Sequence, residues 1–330
     1  MYPFDVRQAN GVLCVGDPHV SSRKPGTRND ADFISTVMGK LAQVAEIANR
    51  ANLVTCFLGD LFNRAQEPDV RLMVELLQVL KLFKQRPWTI VGNHDLAETS
   101  LTMNTSLALL RETGLLQVAD TPGVFLLVQK PDGTQFCIGG SPYGYPIPTD
   151  VAEHLDKAGL PGTPCAWLTH ADLAFEGAYP GAHEMHPVQG CSLVVNGHMH
   201  LTKEPQVHGE TTWFNPGNIT RQSKDTANHV PSAWEFGGAV FKPVQHRLVY
   251  DPEVFASAIP AAMDAAPTLE LSASAFVQTL RDFEAGETAR TEDGSELAKD
   301  IALVLESTRA SAAVAQTLAE LHALAVNAEA

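Results

Sequence analysis

Two residues that can bind a metal follow an apolar run near the beginning of the chain. Residues 12–15 read as a buried strand, and Asp17 and His19 come directly after it in the stretch GDPHV. Alternate side chains of an extended chain point to the same face, so this carboxylate and this imidazole would project together. A turn-forming Asp followed by a surface His produces the same pattern. The metal site is the better interpretation only if other strands also end in residues that can bind a metal.

Other apolar runs end in the same way. The further residues of this kind are Asp60 in FLGDLFNR, Asn93, His94 and Asp95 in IVGNHD, His170 in WLTHADL, and His198 and His200 in VVNGHMH. Glycines directly precede four of these groups, at Gly16, Gly59, Gly92 and Gly197, where a missing Cβ lets the backbone approach an ion. Ligands of α/β sheets gather at the carboxyl ends of the strands, so we expect these segments to meet at one edge.

A mixture of imidazole, carboxylate and amide-oxygen ligands is typical of a five- or six-coordinate site for manganese, iron or zinc. It is less typical of a zinc site built from thiolates or of a calcium site built from oxygen atoms alone. The ligands are too many for a single ion. Two divalent ions about 3.5–4 Å apart would share a bridging carboxylate and a hydroxide that attacks a phosphate in line. We predict Asp60 as the bridge. The other predicted ligands are Asp17, His19 and His200 for one ion, and Asn93, His170 and His198 for the other.

Strand-like and helix-like segments alternate through the first two hundred residues. The strand-like runs are 12–15, 53–58, 88–91, 124–128, 136–138, 166–168 and 192–195, and the helix-like ranges are 31–50, 69–85, 100–112 and 150–158. This alternation predicts an α/β fold with βαβ units and a mixed or parallel sheet that is covered on both faces. Short strands separated by Gly, Pro and Asn predict antiparallel sheet from 206 to 255.

The chain divides into a catalytic domain, residues 1–255, and a C-terminal helical segment, residues 256–330, which an Ala- and Pro-rich linker introduces. Residues 251–330 hold 14 acidic and 4 basic residues, a net charge of −10 out of −15 for the whole chain. An acidic protein lacks the usual electrostatic footprint for nucleic acid, because phosphate contacts need Lys and Arg. A local basic rim remains compatible with this charge.

Composition also predicts the compartment. The chain shows no secretory signal, and no apolar run approaches the roughly 20 residues that span a bilayer. The 5 cysteines are scattered and odd in number, as expected for buried thiols in a reducing compartment. We therefore expect a cytoplasmic protein without a membrane partner.

The set DPH, GDLFNR, GNHD, a lone His and GHMH, in this order over residues 14–200, resembles the signature of the calcineurin-like metallophosphoesterases. The resemblance implies a two-sheet β-sandwich flanked by helices. It also implies hydrolysis of phosphomonoesters or phosphodiesters by a dinuclear centre with the ligands assigned above.

Within that superfamily, GDLFNRAQEPDVRLMVELLQVL and the loop FNPGNITRQS resemble the SbcD and Mre-type DNA-repair nucleases and their phage relatives. The resemblance implies manganese as the metal. It also implies a partner, an SMC-like coiled-coil ATPase of the SbcC type. The C-terminal helices could form the docking surface, although such helices most often pack onto their own domain.

His94 follows the ligand Asn93 directly, and in the family the matching histidine is catalytic, as general acid or charge stabiliser. The alternative is a histidine that only supports the ligands. Asn63 lies three residues after Asp60, where relatives often have Asp or His. We expect its amide oxygen to accept a hydrogen bond from Nδ1 of His94. A neutral amide would stabilise an imidazolium less than a carboxylate does.

Basic residues follow two of the motifs. They are Arg23, Lys24 and Arg28 after the first motif, and Arg221 and Lys224 after NPGN. They form either a rim that contacts the phosphates of a nucleic-acid strand or a solvated loop. We interpret Asp95 as a helix cap, with the orientation of a ligand as the alternative. We interpret His183 and His186 as parts of a surface loop, with a further metal site as the alternative.

The leading hypothesis is a manganese-dependent phosphodiesterase that acts on DNA as an exonuclease or endonuclease. The alternative is a small-molecule or nucleotide phosphodiesterase or a phosphoprotein phosphatase, which the acidity of the chain favours. A non-catalytic scaffold of the same fold is a third reading, but such relatives usually lose ligands, and here every position is filled. The oligomeric state is open, and a homodimer is one of the states that the sequence allows.

Overall fold

The computed structural model describes residues 4–175 and 181–255, and these residues form two β-sheets with helices on the outer faces. The strands are β1 (Asp5–Gln8), β2 (Gly11–Val15), β3 (Leu53–Phe57), β4 (Trp88–Ile90), β5 (Gln117–Ala119), β6 (Gly123–Gln129), β7 (Gln135–Ser141), β8 (Cys165–His170), β9 (Cys191–Gly197), β10 (Lys203–His208), β11 (Thr211–Asn215), β12 (Ser232–Phe236) and β13 (Pro243–Arg247). The helices are α1 (Phe33–Ala51), α2 (Val70–Leu80), α3 (Ser106–Thr113) and α4 (Ala152–Ala158).

One sheet has the strand order β13-β12-β2-β3-β4-β5, and the other has the order β1-β6-β7-β8-β9-β11-β10. Strands β2, β3 and β4 are mutually parallel, and so are β7, β8 and β9. Their carboxyl ends carry the segments that the sequence singles out. The parallel centre of each sheet thus brings those segments to the same edge.

Apolar side chains from both sheets face each other and form the middle of the sandwich. Cys14, Val54 and Ile90 contribute from one sheet, and Ile138 and Leu168 contribute from the other. The opposite face of the six-stranded sheet packs against α1, α2 and α3, and that of the seven-stranded sheet packs against α4. The predicted α/β fold, a two-sheet β-sandwich flanked by helices, is confirmed for the described residues.

Side-chain caps explain where three helices begin. Asp32 accepts a hydrogen bond from the backbone N of Ser35 at 3.0 Å, and Asp69 accepts one from Leu72 at 2.9 Å. Thr105 caps α3 in the same way, so this helix begins six residues later than the predicted position 100. The second helix ends at Leu80 instead of 85, although Phe83 beyond it is still buried.

The sequence patterns missed the short strands β1 and β5, which have three or four residues each and carry little periodicity. The antiparallel prediction for 206–255 holds for β10 with β11 and for β12 with β13, but β11 pairs parallel to β9. All 5 cysteines are buried and free. No helix in the described part of the chain is both long and apolar enough to cross a bilayer.

The predicted C-terminal helical segment lies outside the described residues. The division at 255/256 therefore stays a prediction.

Candidate metal centre

Asn93, His170 and His198 point their polar atoms at one small space. Oδ1 of Asn93 lies 3.0 Å from Nε2 of His170 and 3.0 Å from Nδ1 of His198. Oδ2 of Asp60 lies 3.2 Å from the same Nε2 atom. The predicted ligands of one ion thus come together from four separate segments.

A second group lies near the same oxygen atom of Asp60. Nε2 of His19 lies 2.9 Å from Nε2 of His200 and 3.8 Å from Oδ2 of Asp60. Two sets of residues can each place ligand atoms within 4.8 Å of one another: His19, Asp60 and His94, and Asp60, His170 and His198. Asp60 belongs to both sets, which is what a bridging carboxylate requires.

Asp17 supplies an observation that fits a bound cation. It is fully buried, and its Oδ1 accepts a hydrogen bond from the backbone N of His198 at 3.0 Å. Its Oδ2 has no hydrogen-bond partner among the described residues, and neither has Nδ1 of His19. A buried carboxylate oxygen without a partner is costly, and a metal ion would remove that cost. The nitrogen and oxygen donors also suit manganese, iron or zinc.

Several of these residues have strained backbones. The φ angles are 37° at Asp17, 45° at His19, 47° at Asp60 and 70° at His198, all in the left-handed region that non-glycine residues rarely enter. The expectation that Asp17 and His19 continue an extended strand is therefore wrong. The chain leaves β2 and turns, and such strain is characteristic of functional sites.

Glycine is required beside two of the ligands because the chains approach so closely. A Cβ on Gly59 would lie 2.4 Å from Nδ1 of His170, and one on Gly92 would lie 2.2 Å from Oδ1 of Asp60. Real Cβ atoms do not tolerate such contacts. These two glycines therefore let the segments that carry the predicted ligands pack against one another, and their predicted approach to an ion stays a prediction.

Acceptors outside the centre face the second ring nitrogen of two of its histidines. Nδ1 of His170 donates to the backbone carbonyl of Leu58 at 2.6 Å, so Nε2 is the atom that faces Asp60 and Asn93. On His198 the Nε2 atom lies 3.7 Å from Oδ2 of Asp172, which leaves Nδ1 toward Asn93. This arrangement is typical of metal-binding histidines, whose second nitrogen is held by an acceptor.

The charges of the cluster shift its pKa values strongly. Burial raises the pKa of Asp17 to about 6. Burial opposes ionisation of Asp60 and His170 as well, but their mutual attraction outweighs it. It holds the pKa of Asp60 well below its usual range and raises that of His170 to about 9. Burial, together with the neighbouring His200, lowers the pKa of His19 well below its ordinary value.

His94 lies at the edge of the centre, with its ring centroid 5.0 Å from that of His19. Its Nδ1 donates to the backbone carbonyl of Asn63 at 3.0 Å, and its backbone N donates to Oδ1 of Asp60 at 2.9 Å. The amide oxygen of Asn63 has no partner in the described part of the chain. The prediction that this amide orients His94 is therefore wrong, because the main chain of the same residue does so.

Two of the five predicted phosphate contacts are buried, which corrects their assignment to an exposed rim, and Lys224 is exposed. Arg28 is 3 % exposed, pairs with Asp30 at 2.7 Å and donates to backbone carbonyls of residues 220 and 221. Arg221 is 1 % exposed, and its guanidinium stacks on the ring of Tyr250. Both side chains hold loops together. Arg23 and Lys24 are exposed, as the prediction requires.

Asp95 has a role that the sequence did not indicate. It is fully buried and accepts hydrogen bonds from the backbone N atoms of Phe62 at 3.1 Å and Gly92 at 3.0 Å. The interpretation as a helix cap is wrong, since no helix begins until Ser106. Asp95 instead ties the GDLF segment to the GNHD segment. No local pattern signals this role, because the two segments meet only in the folded chain.

The two histidines assigned to a surface loop, His183 and His186, lie in such a loop. His183 is exposed, and His186 lies 3.3 Å from the backbone carbonyl of Pro148, both in a loop at the surface. Neither belongs to the groups that could hold a metal among residues 4–175 and 181–255.

The sandwich, with histidines and carboxylates gathered at the carboxyl ends of its strands, defines a metal-dependent hydrolase. The Calcineurin-like phosphoesterase family matches residues 11–202, which is more than half of the 330 residues. The chain belongs to that family, whose members generally bind two divalent metals. It is accordingly a metal-dependent phosphoesterase.

A search of solved structures also gave matches. An archaeal phosphodiesterase has 12 % sequence identity and a TM-score of 0.36, with 72 % of this chain and 99 % of that chain covered. The 5'-nucleotidase precursor from Thermus thermophilus has 14 % identity and a TM-score of 0.44, with coverages of 74 % and 55 %. TT1561 of the same organism has 10 % identity and a TM-score of 0.43, with coverages of 73 % and 99 %. No curated protein sequence matches significantly.

Proposed function

We propose that the protein is a manganese-dependent phosphodiesterase that cleaves DNA, in the manner of the SbcD and Mre-type nucleases. The observation that carries the proposal is the position of Asp60, which lies in both groups that could hold a metal ion. That position supports a dinuclear centre. Iron and zinc are the alternative metals for these donors.

Seven side chains would hold the two ions: Asp17, His19, Asp60, Asn93, His170, His198 and His200. A pair of divalent ions supplies an activated water and neutralises charge on the phosphate oxygens. The strained loops and the glycines beside them keep the seven side chains in place before substrate arrives. Such preorganisation removes the reorganisation cost from the reaction step.

His94 is positioned to assist the reaction. Because its Nδ1 donates to the carbonyl of Asn63, its Nε2 is the nitrogen that remains for the substrate. It can stabilise negative charge on a phosphate oxygen or protonate the leaving group. The carbonyl of Asn63 fixes the tautomer and the orientation of the ring.

DNA as the substrate is supported by residues around the centre. The segments GDLFNRAQEPDVRLMVELLQVL and FNPGNITRQS resemble those of the repair nucleases. Exposed Arg23 and Lys24 follow Ser22, and Ser22 is bound to buried Glu67 through its backbone N at 3.0 Å and its Oγ at 2.6 Å. This anchor holds the basic loop beside the GDLFNR segment.

The second candidate is a phosphodiesterase or phosphatase for small molecules or nucleotides. The burial of Arg28 and Arg221 favours it, because only three of the five predicted phosphate contacts remain exposed. The net charge of −15 also weakens attraction to a polyanion.

An SMC-like ATPase as partner, with residues 256–330 as the docking segment, is part of the same proposal, as are a cytoplasmic location and a homodimer. Co-purification of the full chain with such an ATPase, compared with a chain ending at 255, tests the partner.

The central test uses metal-free protein supplied with manganese, iron or zinc. End-labelled single-stranded and double-stranded DNA are compared with bis-p-nitrophenyl phosphate and p-nitrophenyl phosphate. We expect manganese-dependent cleavage of DNA and of the diester, and none by the Asp60→Asn variant. Cleavage of the small diester alone would support the second candidate instead.

A further inference from the structure

An exposed tyrosine ring lies directly beside the metal centre. The ring of Tyr143 has its centroid 6.0 Å from that of His198, with 37° between the planes, and 6.1 Å from that of His170, with 75° between the planes. His170 and His198 are predicted ligands of one ion. A substrate whose phosphate reaches that ion would therefore lie near this ring.

We propose that the ring of Tyr143 is a stacking surface for a nucleobase that adjoins the phosphate being cleaved. The proposal rests on the proposed phosphodiesterase function and specifies its substrate class, a phosphodiester that carries a base next to the scissile bond. Stacking on an aromatic ring suits every base, because each base has a flat π-face.

The exposure of Tyr143 supports a role in binding. The residue is 39 % exposed, whereas the large aromatic side chains of the sandwich, such as Trp167 and Phe214, are almost completely buried. The part of this residue that stays in water contributes nothing to folding by burial. Beside a metal centre, an aromatic surface of this kind is suited to recognising a flat ligand.

The loop that carries Tyr143 is held on both sides. The backbone N of Tyr143 donates to the carbonyl of Val91 at 2.9 Å, two residues before the ligand Asn93. Ser141 donates from Oγ to the carbonyl of Pro146 at 2.9 Å and accepts a hydrogen bond from Nε1 of Trp167 at 3.0 Å. The ring is therefore anchored to the segments that position the metal ligands. A stacking surface fixed in advance loses less entropy when a base binds.

The negative charge of this protein makes an uncharged contact such as stacking important for substrate affinity. With a net charge of −15 and two of the predicted basic contacts buried, attraction to phosphates is weak for a nucleic-acid enzyme. Stacking contributes affinity that does not depend on charge. Tyr143 therefore explains how an acidic protein could select a nucleotide-bearing phosphodiester.

The test compares a thymidine dinucleotide with the same dinucleotide lacking its bases, both in manganese. The variants are Tyr143→Ala, Tyr143→Phe, which keeps the ring, and Tyr145→Ala, the control for an exposed tyrosine in the same loop. We expect Tyr143→Ala to raise KM for the base-bearing substrate by about 5- to 100-fold and to leave kcat within about twofold. KM for the abasic substrate should not change, and Tyr143→Phe should resemble the wild type.

Three outcomes would overturn the proposal. The first is an equal rise in KM for the base-bearing and the abasic substrate in Tyr143→Ala. The second is weaker manganese binding by Tyr143→Ala in calorimetry. The third is an equal rise in KM for the base-bearing substrate in Tyr143→Ala and Tyr145→Ala, which would indicate a disturbed loop. If the wild type cleaves no phosphodiester, the proposed function fails. The stacking surface is then tested separately by equilibrium binding of thymidine 5'-monophosphate and deoxyribose 5-phosphate. Loss of the preference for the base in Tyr143→Ala alone supports stacking, and no preference in the wild type contradicts it.

Discussion

The Nε2 atoms of His19 and His200 lie 2.9 Å apart, although 181 positions separate the two residues in the chain. Strand β2 leads to the first histidine, in one sheet, and strand β9 leads to the second, in the other sheet. Two imidazole nitrogens at this distance, beside the carboxylate of Asp60, favour a shared cation. The centre therefore joins the two sheets of the sandwich, and changes at its ligands are expected to affect stability as well as activity.

Manganese is expected to stabilise the folded protein through Asp60. At a concentration 100 times its Kd, one bound ion adds about 2.7 kcal/mol to the free energy of unfolding. Thermal unfolding of chelator-treated protein with and without manganese measures this gain. In Asp60→Asn the gain should disappear, and in Asp132→Asn, a control at an exposed turn, it should persist. Equal stabilisation of Asp60→Asn and wild type would contradict the bridging assignment.

His94 and the side chain of Asn63 should differ sharply in importance. Replacing His94 by Gln removes the proposed acid or charge stabiliser, and we expect kcat to fall by about 10²- to 10⁴-fold. Asn63→Ala keeps the backbone carbonyl that orients His94, so kcat should stay within a few-fold of wild type. Steady-state kinetics with bis-p-nitrophenyl phosphate compares the two. A loss in Asn63→Ala as large as that in His94→Gln would restore a catalytic role to the amide.

The exposed and buried basic residues should separate into two phenotypes. Replacing Arg23 and Lys24 together by Ala should weaken DNA binding and reduce its salt dependence, with a stability change of no more than about 0.5 kcal/mol. Arg28→Ala instead leaves Asp30 without its two guanidinium hydrogen bonds, both of 2.7 Å, and should cost about 3 kcal/mol of stability. Salt-titrated binding and urea unfolding measure the two effects. A stable Arg28→Ala variant with weakened DNA binding would return Arg28 to the rim.

Lys40 should make stability depend on pH. Its side chain is buried and donates from Nζ to the carbonyl of Ile219 at 2.6 Å. Burial, with Arg28 and Arg221 nearby, lowers its pKa from the ordinary 10.5 to about 7. Between these two values the unfolded chain binds one proton more than the folded chain, so this residue makes stability rise with pH, by at most about 1.4 kcal/mol per pH unit.

The Lys40→Met variant lacks this proton and isolates the effect. Urea unfolding from pH 6.5 to 9.5 should show the wild type gaining stability relative to Lys40→Met as the pH rises. Parallel curves for the two proteins would mean that Lys40 keeps an ordinary pKa in the folded state.

Much of the centre could be predicted from the sequence, because parallel strands place their carboxyl ends, and the ligands that follow them, at the same edge of a sheet. Apolar runs that end in Gly followed by Asp, Asn or His identify strands whose carboxyl ends carry the ligands. Once those strands are parallel, the ends within each sheet meet at one edge whatever the details of the loops. The packing of the two sheets then brings the two edges together. The sequence by itself therefore determined the fold class, the chemical types of the donors and the segments that meet.

Only the tertiary structure decided which atoms position the side chains and loops of the centre. It showed that the main chain of Asn63 holds His94, that Arg28 and Arg221 bind loops together, and that Asp95 joins two motifs. It also showed that Tyr143 borders the metal centre. These facts depend on left-handed turns and on contacts between segments far apart in the chain. Local residue types do not encode such contacts, because burial and hydrogen-bond partners exist only once both sheets have packed.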